Sequence, residues 1–435
     1  MKKTNFRWVI LAVIFTTYLI NYADRSNIGV ALPFIKDEFH MTNTEMGGIA
    51  SMFFLGYAIS QIPAGFILSK LGIRGTVSLS IIAFSLFTFL MGHVQNAGQL
   101  VLTRLGLGLG EGPTPVGLTS TINNWFPAKE KATAVGVYIA STLVAPIIVP
   151  SIVVWIALNY GWRNIFIFFA IPGFFMAVIW YLVIRTSPRD HGHVNQAEVD
   201  YIESGSDAGE EKKETFKSFG LLDKIIRLKH VEPVTSKAKV FTNWNIIGNT
   251  LGYFFMVSVV YGIMTWIPSY LVDAKGYTFT KMGFMAAAPF IGGLIGSLLG
   301  GYISDKVLGK RRKPTMLFTA LFTFFMMFVM MNLPNSDTAM GMALFATGFC
   351  LNLGWPAFTA YPMGITDKQT YPIAIAVVNS GGNLGGAFSP FFVGLLLDWW
   401  GSYDYVFAFF GIISVLGFLL FLSIDEPIAD SKAQA

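Results

Sequence analysis

Long apolar runs recur along nearly the whole chain, and short polar stretches separate them. Each run is about 20 residues long, which is the helix length that spans the ~30 Å hydrocarbon core of a bilayer. Strands of a membrane barrel would be shorter and would alternate apolar and polar residues. The pattern therefore predicts an all-α membrane protein with twelve transmembrane helices, near residues 8–32, 46–68, 76–94, 98–120, 132–158, 163–185, 242–271, 282–304, 314–333, 338–361, 371–397 and 404–424.

One long polar stretch divides these runs into two groups of six. It covers residues 186–241 and includes the charged run Glu-Glu-Lys-Lys-Glu at 210–214. We therefore predict three parts: an N-terminal six-helix bundle at 1–185, a cytoplasmic linker at 186–241 and a C-terminal six-helix bundle at 242–435.

The lysines and arginines predict the orientation of the chain. Loops on the cytoplasmic side of a membrane are enriched in Lys and Arg. If the N-terminus is cytoplasmic, most of the 30 Lys and Arg fall in cytoplasmic loops, and the outer loops receive only Lys36, Arg163, Lys275 and Lys281. Both termini and the linker are then cytoplasmic, and the net charge of +5 needs no nucleic-acid partner.

Composition argues against an enzyme and against a metal or cofactor site. The chain is 54% hydrophobic and 13% charged, whereas soluble domains carry about 25% charged residues. Its single cysteine, Cys350, excludes a disulfide or a cysteine-based metal site within one chain. We find no nucleophile–base pair and no nucleotide loop, and we predict no cofactor and no metal.

Four ionisable residues stand inside the apolar runs: Asp24, Arg25, Arg104 and Glu111. A charge at the bilayer centre costs at least ~2.5–3.5 kcal/mol, and such residues usually mark transport sites. Arg104 and Glu111 are seven residues apart, so they share a helix face about 10 Å apart along the axis. They are too distant to pair along a straight helix and need partners elsewhere. The glycines around Glu111 indicate close helix packing.

Two loops repeat a short motif at equivalent places in the halves. GFILSKLGIRG (65–75) follows the second run and GGYISDKVLGKRRKP (300–314) follows the eighth. The motif resembles the G-x-x-x-D-[RK]-x-G-[RK]-[RK] loop of the major facilitator superfamily, well at Asp305 and poorly at Ser69. Within it the chain resembles the anion:cation symporters, through NYADRSNIGVALP (21–33), QIPAGFILSKLGIR (61–74), RLGLGLGEGPTP (104–115), NNWFPAKEKATAVG (123–136), TWIPSYLVDAKG (265–276) and NSGGNLGG (379–386).

The resemblance implies the major facilitator fold and gives the four charged residues roles. Arg25 would bind the substrate carboxylate, for which a planar guanidinium is suited. Asp24 and Glu111 would be the proton-coupling residues, and Arg104 would pair with one of them.

The same resemblance gives candidates for the rest of the substrate site. Tyr22, Tyr57 and Asn379 match substrate contacts, and Tyr261 is a candidate to line the C-terminal half. Thr142 stands where sugar-acid members carry glutamine, so a smaller or more aromatic acid stays a possible substrate.

We therefore predict a monomeric multi-pass transporter of a bacterial inner membrane. It would carry protons together with an organic carboxylate, with a sugar acid such as a hexonate, hexuronate or glucarate favoured. The alternatives are an importer of an aromatic or other small carboxylate, and an exchanger of organic anions or phosphate esters. Its partners would be the small anion, protons and the lipid bilayer.

Overall fold

The computed structural model describes residues 3–204, 219–334, 336–367 and 369–428. The charged run at 210–214 lies outside the described residues. The helices are α1 (Phe6–Phe39), α2 (Asn43–Met91), α3 (Ala97–Glu111), α4 (Pro113–Trp125), α5 (Ala128–Tyr160), α6 (Trp162–Val183), α7 (Gln196–Ser204), α8 (Leu221–Ile225), α9 (Lys237–Val240), α10 (Trp244–Ser269), α11 (Phe279–Met285), α12 (Ala288–Tyr302), α13 (Lys313–Met331), α14 (Asp337–Leu353), α15 (Trp355–Ala360), α16 (Tyr371–Trp400) and α17 (Tyr403–Ser423).

Other regular elements are short. Two-residue strands β1 (Leu228–Lys229) and β2 (Glu426–Pro427) pair in parallel. Single 3-10 turns lie at Pro188–Asp190 and Tyr361–Gly364, and π-helical turns at Tyr270–Ala274 and Ile303–Val307.

The predicted apolar runs are helical over most of their length, but three of them are divided: the fourth between α3 and α4, the eighth between α11 and α12, and the tenth between α14 and α15. The second and third runs are two helices that meet at a kink at Gly72, where φ is 67°, and α2 names both of them. A left-handed backbone suits glycine because it has no Cβ. The fourth run is divided into α3 and α4 around Gly112, directly before Pro113. Proline cannot donate a backbone hydrogen bond and so favours a helix start.

The described residues fall into two compact units. The first takes residues up to 41 and from 48 into the linker, and the second takes 42–47 with the rest of the chain. In the first, α1 packs against α5, α6 and α4. In the second, α10 packs against α16 and α17, and α12 packs against α14.

The side chains left outside these cores are those expected for a lipid-facing surface. Phe66, Leu182 and Phe328 are each more than 60% exposed. Within the described residues, nine helical stretches are long and apolar enough to cross a membrane. The remaining predicted spans, in α2, α3–α4 and α16, are rich in glycine and polar residues.

A buried ion pair fastens the linker to the first unit. Glu198 of α7 is fully buried, and Arg7 Nη1 donates to its Oε1 at 2.9 Å. Thr4 Oγ1 and the Phe6 amide donate to Oε2 at 2.6 and 3.0 Å. Burial alone would raise the pKa of Glu198, but these hydrogen bonds outweigh it and hold that pKa below its ordinary value.

We expect Glu198→Ala to release α7 at a cost of about 3 kcal/mol, because it leaves the buried Arg7 guanidinium without this carboxylate. Glu203 on the same helix supplies the control. Its pair with Arg189 is exposed, so Glu203→Ala should cost under about 1 kcal/mol. Hydrogen exchange of α7 measures both. Similar protection in the two variants would show that Glu198 does not hold the linker.

The depressed pKa of Glu198 also sets a pH dependence for docking of α7. The ionised carboxylate contributes stability above its ordinary pKa of about 4.3. That contribution is lost as the pH falls through the lower pKa of the folded state. We therefore expect wild-type α7 to keep its protection at neutral pH and to lose it only in strong acid.

The second unit has its own buried polar junction around Glu426 and Lys313. Glu426 of β2 accepts hydrogen bonds from the Arg312 and Lys313 amides, at 2.9 and 2.7 Å. Lys313 Nζ donates to the carbonyl oxygens of Ile226 and Ile424 at 2.9 and 2.6 Å. These bonds join the start of α13, the linker and the residues after α17.

The two motif loops differ as their sequences do. Asp305 forms an ion pair with Arg312. Ser69, its counterpart, donates to the Phe66 carbonyl oxygen of its own helix at 2.8 Å. A serine hydroxyl carries no charge, so Ser69 cannot form the ion pair that Asp305 forms.

Candidate functional site

Two helices of the first unit carry the four charged residues of the apolar runs. Helix α1 positions Asp24 and Arg25, and α3 positions Arg104 and Glu111. All four are buried, with exposed fractions of 0, 5, 1 and 0%. Burying isolated charges is costly, so groups like these need partners nearby.

The strongest contact joins the two helices directly. Arg25 Nε donates to Glu111 Oε2 at 2.7 Å, across 86 positions of the chain. Charge-assisted bonds of this length are among the strong ones in proteins. Removing one partner of such a pair strands the other charge, which typically costs 3–5 kcal/mol.

Asp24 is held more loosely than Glu111. Arg104 Nη1 donates to the backbone oxygen of Asp24 at 3.3 Å, not to its carboxylate. The Asn27 amide lies 3.5 Å from Asp24 Oδ1, which is at the limit of a hydrogen bond. The Asp24 carboxylate therefore has a weak partner where Glu111 has a strong one.

Aromatic rings surround the Arg25 guanidinium. Its central carbon lies 4.6 Å from the centre of the Tyr22 ring, 4.5 Å from Tyr57 and 5.0 Å from Phe53. Cations within about 6 Å of a ring face are attracted by its quadrupole. These rings hold the guanidinium plane in place and exclude bulk water from it.

Helices α2 and α3 approach so closely that only glycine fits between them. A Cβ on Gly108 would lie 2.0 Å from the Phe53 carbonyl oxygen, and one on Gly112 would lie 1.8 Å from Ser60 Oγ. The prediction that the glycines near Glu111 serve helix packing is confirmed. The close approach places Phe53 and Tyr57 beside the charged residues of α3.

Four polar atoms of the charged cluster have no hydrogen-bond partner within the described part of the chain: Asp24 Oδ2, Arg25 Nη2, Arg104 Nε and Glu111 Oε1. Buried polar atoms are rarely left unpaired. Two are donors on arginines and two are carboxylate acceptors. The cluster can therefore bind an anion through the former and protons through the latter.

The other predicted substrate residues are distributed over both units. Tyr22 and Tyr57 adjoin Arg25, as described. Thr142 lies on α5 in the same unit, and its hydroxyl donates to the Ile139 carbonyl oxygen at 2.8 Å. Asn379 on α16 and Tyr261 on α10 belong to the second unit, and Asn379 is exposed.

Sequence reasoning missed several uncharged members of the cluster. Tyr138 of α5 contacts Tyr18 of α1 at 4.5 Å between ring centres. Asn21 and Thr88 are fully buried. A signal for Asn21 was present, because Asn21, Asp24 and Asn27 recur every third residue and so share a helix face. Nothing in the sequence singled out Thr88 or Tyr138.

Across the described ranges, no group of three or more His, Cys, Asp or Glu side chains is arranged to hold a metal ion.

Curated relatives that match more than nine-tenths of the chain are described as transporters. A Bacillus subtilis protein described as a probable galactarate/D-glucarate transporter is 28% identical over 98% of this chain and 93% of its own. The D-galactonate transporter of Escherichia coli is 30% identical over 91% and 90%. The hexuronate transporter of Bacillus subtilis is 27% identical over 98% and 96%.

Solved structures with the same fold are transporters as well. A D-xylose-proton symporter superposes with a TM-score of 0.75 at 15% identity, covering 97% of this chain and 98% of its own. A bacterial homologue of the human lysosomal transporter Spinster gives 0.74 at 17% identity, covering 96% and 97%. At these identities the likeness establishes the fold alone, the twelve-helix architecture predicted from the apolar runs.

The family model described as Major Facilitator Superfamily matches residues 14–345 and 250–435, which together cover most of the sequence. The fold and the relatives agree with that match. The chain therefore belongs to the Major Facilitator Superfamily, as a multi-pass membrane transporter and not an enzyme.

Proposed function

We propose that the protein is a proton-coupled symporter that imports an organic carboxylate, most simply a sugar acid, across a bacterial inner membrane. Both termini lie on the cytoplasmic side, and the transporter works as a monomer without a cofactor. The observation that carries the proposal is the buried cluster of Asp24, Arg25, Arg104 and Glu111, which holds two fixed cations and two groups that can take up protons.

Arg25 is the proposed anchor for the carboxylate. Its Nε is occupied by Glu111, while its Nη2 is buried and has no hydrogen-bond partner in the described chain. Arginine stays protonated in proteins, so it attracts an anion at any physiological pH. Tyr22 and Tyr57 flank the same guanidinium and can contact the rest of the substrate.

The need to keep the buried site electrically neutral supports the coupling of substrate to protons. With both carboxylates ionised, the two arginines and two carboxylates sum to zero. An arriving monocarboxylate adds one negative charge, which is costly in a low-dielectric site. A proton on Asp24 or Glu111 restores neutrality, and the two then cross the membrane together.

Three relatives support a sugar acid, since they are named for galactarate, glucarate, galactonate or hexuronate. Two observations support a second candidate, a smaller anion. Thr142 offers fewer hydrogen-bonding groups than glutamine, and a probable sulfoacetate transporter of Cupriavidus necator is 28% identical over 99% of this chain. A small carboxylate or sulfonate would need fewer hydroxyl contacts.

A thermal-shift series on the purified protein tests the substrate class. The ligands are D-galactonate, D-glucarate, D-glucuronate, sulfoacetate, benzoate and a sugar phosphate. A ligand stabilises the state that it binds, by about 2.7 kcal/mol at a hundred times its Kd. We expect a sugar acid to raise the melting temperature most. Stabilisation by benzoate or the sugar phosphate alone would overturn the proposed substrate class, and by sulfoacetate alone would favour the second candidate.

A further inference from the structure

We propose that Thr88 and Asn21 are positioning residues for the two proton-carrying carboxylates, Thr88 for Asp24 and Asn21 for Glu111. The inference rests on the proposed proton coupling and adds two uncharged residues from helices α1 and α2. Each stands beside one carboxylate of the cluster.

Thr88 and Thr323 differ from most of the buried threonines, because their hydroxyls have no partner of normal geometry within the described residues, and of the two Thr88 stands beside a carboxylate of the cluster. Thr17, Thr121 and Thr347 each donate to the carbonyl oxygen four residues earlier, at 2.7 to 2.8 Å. This is the ordinary way for a helical threonine to satisfy its hydroxyl. Thr88 is fully buried, and its Oγ1 has no partner of normal geometry in the described chain.

Thr88 and Asp24 are therefore neighbours that do not form a hydrogen bond of normal geometry with each other. The Thr88 side chain lies next to the Asp24 carboxylate, whose Oδ2 also lacks a partner of normal geometry among the described residues. A hydroxyl can donate to an ionised carboxylate and accept from a protonated one. A small side-chain movement completes the bond in either state.

Asn21 stands in the same relation to Glu111. Its side chain adjoins Glu111, and Asn21 Nδ2, Asn21 Oδ1 and Glu111 Oε1 have no partner of normal geometry within the described ranges. A buried amide without partners is costly unless it has a task. The amide can donate to the carboxylate through Nδ2 or accept its proton through Oδ1.

The charged neighbours of both carboxylates define what these residues add. Asp24 is faced by Arg104 and Glu111 of α3, and Glu111 is faced by Arg25 of α1 and by Arg104. These charges set the overall attraction for a proton. Neutral partners such as Thr88 add a hydrogen bond that favours the ionised carboxylate, and they fix where the carboxyl group points and therefore where its proton can be received.

The test measures uptake against pH in proteoliposomes for Thr88→Val, Thr88→Ser and Asn21→Leu. Thr88→Val keeps the shape of the side chain and loses only the hydroxyl, while Thr88→Ser keeps the hydroxyl. Ser85→Ala is the matched control, because Ser85 is buried one turn earlier on α2 and faces Gly173 of α6. Substrate exchange at fixed pH, which needs no net proton movement, reports folding and binding.

We expect Thr88→Val to exchange substrate like the wild type but to move the midpoint of proton-driven uptake by about one pH unit to higher pH, because the hydroxyl stabilises the ionised carboxylate. Proton-driven uptake should depend on pH in Thr88→Ser and Ser85→Ala as it does in the wild type. In Asn21→Leu the midpoint of that pH dependence should move. Unchanged profiles for both Thr88→Val and Asn21→Leu, beside a proton-coupled wild type, overturn the inference. A wild type insensitive to pH overturns the proposed function instead.

Discussion

Arg25→Ala is expected to abolish substrate transport and substrate-induced thermal stabilisation. The substitution removes the guanidinium whose Nη2, unpaired within the described part of the chain, is the proposed carboxylate anchor, and it leaves Glu111 buried without its partner at 2.7 Å. Removing Arg25 also removes its ion pair with the substrate carboxylate. Truncating one member of such a buried pair costs 2–5 kcal/mol or more in binding, so substrate affinity should fall by roughly 100-fold. Direct binding by calorimetry measures the loss.

Two variants separate anion recognition from general damage. Arg25→Lys keeps the positive charge but loses the planar fork that binds a carboxylate through two hydrogen bonds, so it should bind weakly without unfolding. Arg189→Ala removes an arginine whose ion pair with Glu203 is exposed, and it should bind like the wild type. Full affinity in Arg25→Ala would place the anion site elsewhere.

Glu111→Gln is expected to separate transport from the proton gradient. The amide oxygen of glutamine can still accept the Arg25 Nε bond, so the fold and the anchor are retained. The amide cannot take up a proton. Substrate should then equilibrate across the membrane without accumulating, while counterflow of labelled substrate continues.

Glu38→Gln is the control for a lost carboxylate. Glu38 pairs with Arg163 at 2.7 Å, and both side chains are well exposed; exposed pairs contribute about 0–1 kcal/mol. This variant should accumulate substrate normally. If Glu111→Gln also accumulates substrate normally under a proton gradient, Glu111 does not carry the coupled proton.

The fold could be predicted because membrane spans follow from length and apolarity alone. The sequence predicts a linker at 186–241 because charged residues replace apolar ones there. The kink at Gly72 lies in the loop predicted between the second and third runs, and the break between α3 and α4 follows from Pro113, which has no amide hydrogen. What could not be predicted is that the eighth and tenth runs are also divided, between α11 and α12 and between α14 and α15.

The site could be predicted only as far as charge reveals it. Asp24, Arg25, Arg104 and Glu111 are conspicuous because charges are rare in apolar runs. That Arg25 pairs with Glu111, while Arg104 contacts the Asp24 backbone, depends on how α1 and α3 are placed, and sequence spacing does not supply that. Asn21 and Thr88 escaped notice because neutral polar residues are common in transmembrane helices.

The most direct test of proton symport is to measure both ions in one experiment. Purified protein is reconstituted into liposomes that contain a pH-sensitive dye, without an imposed pH gradient, and a sugar acid that stabilises the protein is added outside. We predict acidification of the lumen together with substrate entry, and neither in liposomes that carry Arg25→Ala. Substrate entry with no change in lumenal pH would mean that the protein is a uniporter or an anion exchanger, and that Asp24 and Glu111 do not couple protons to transport.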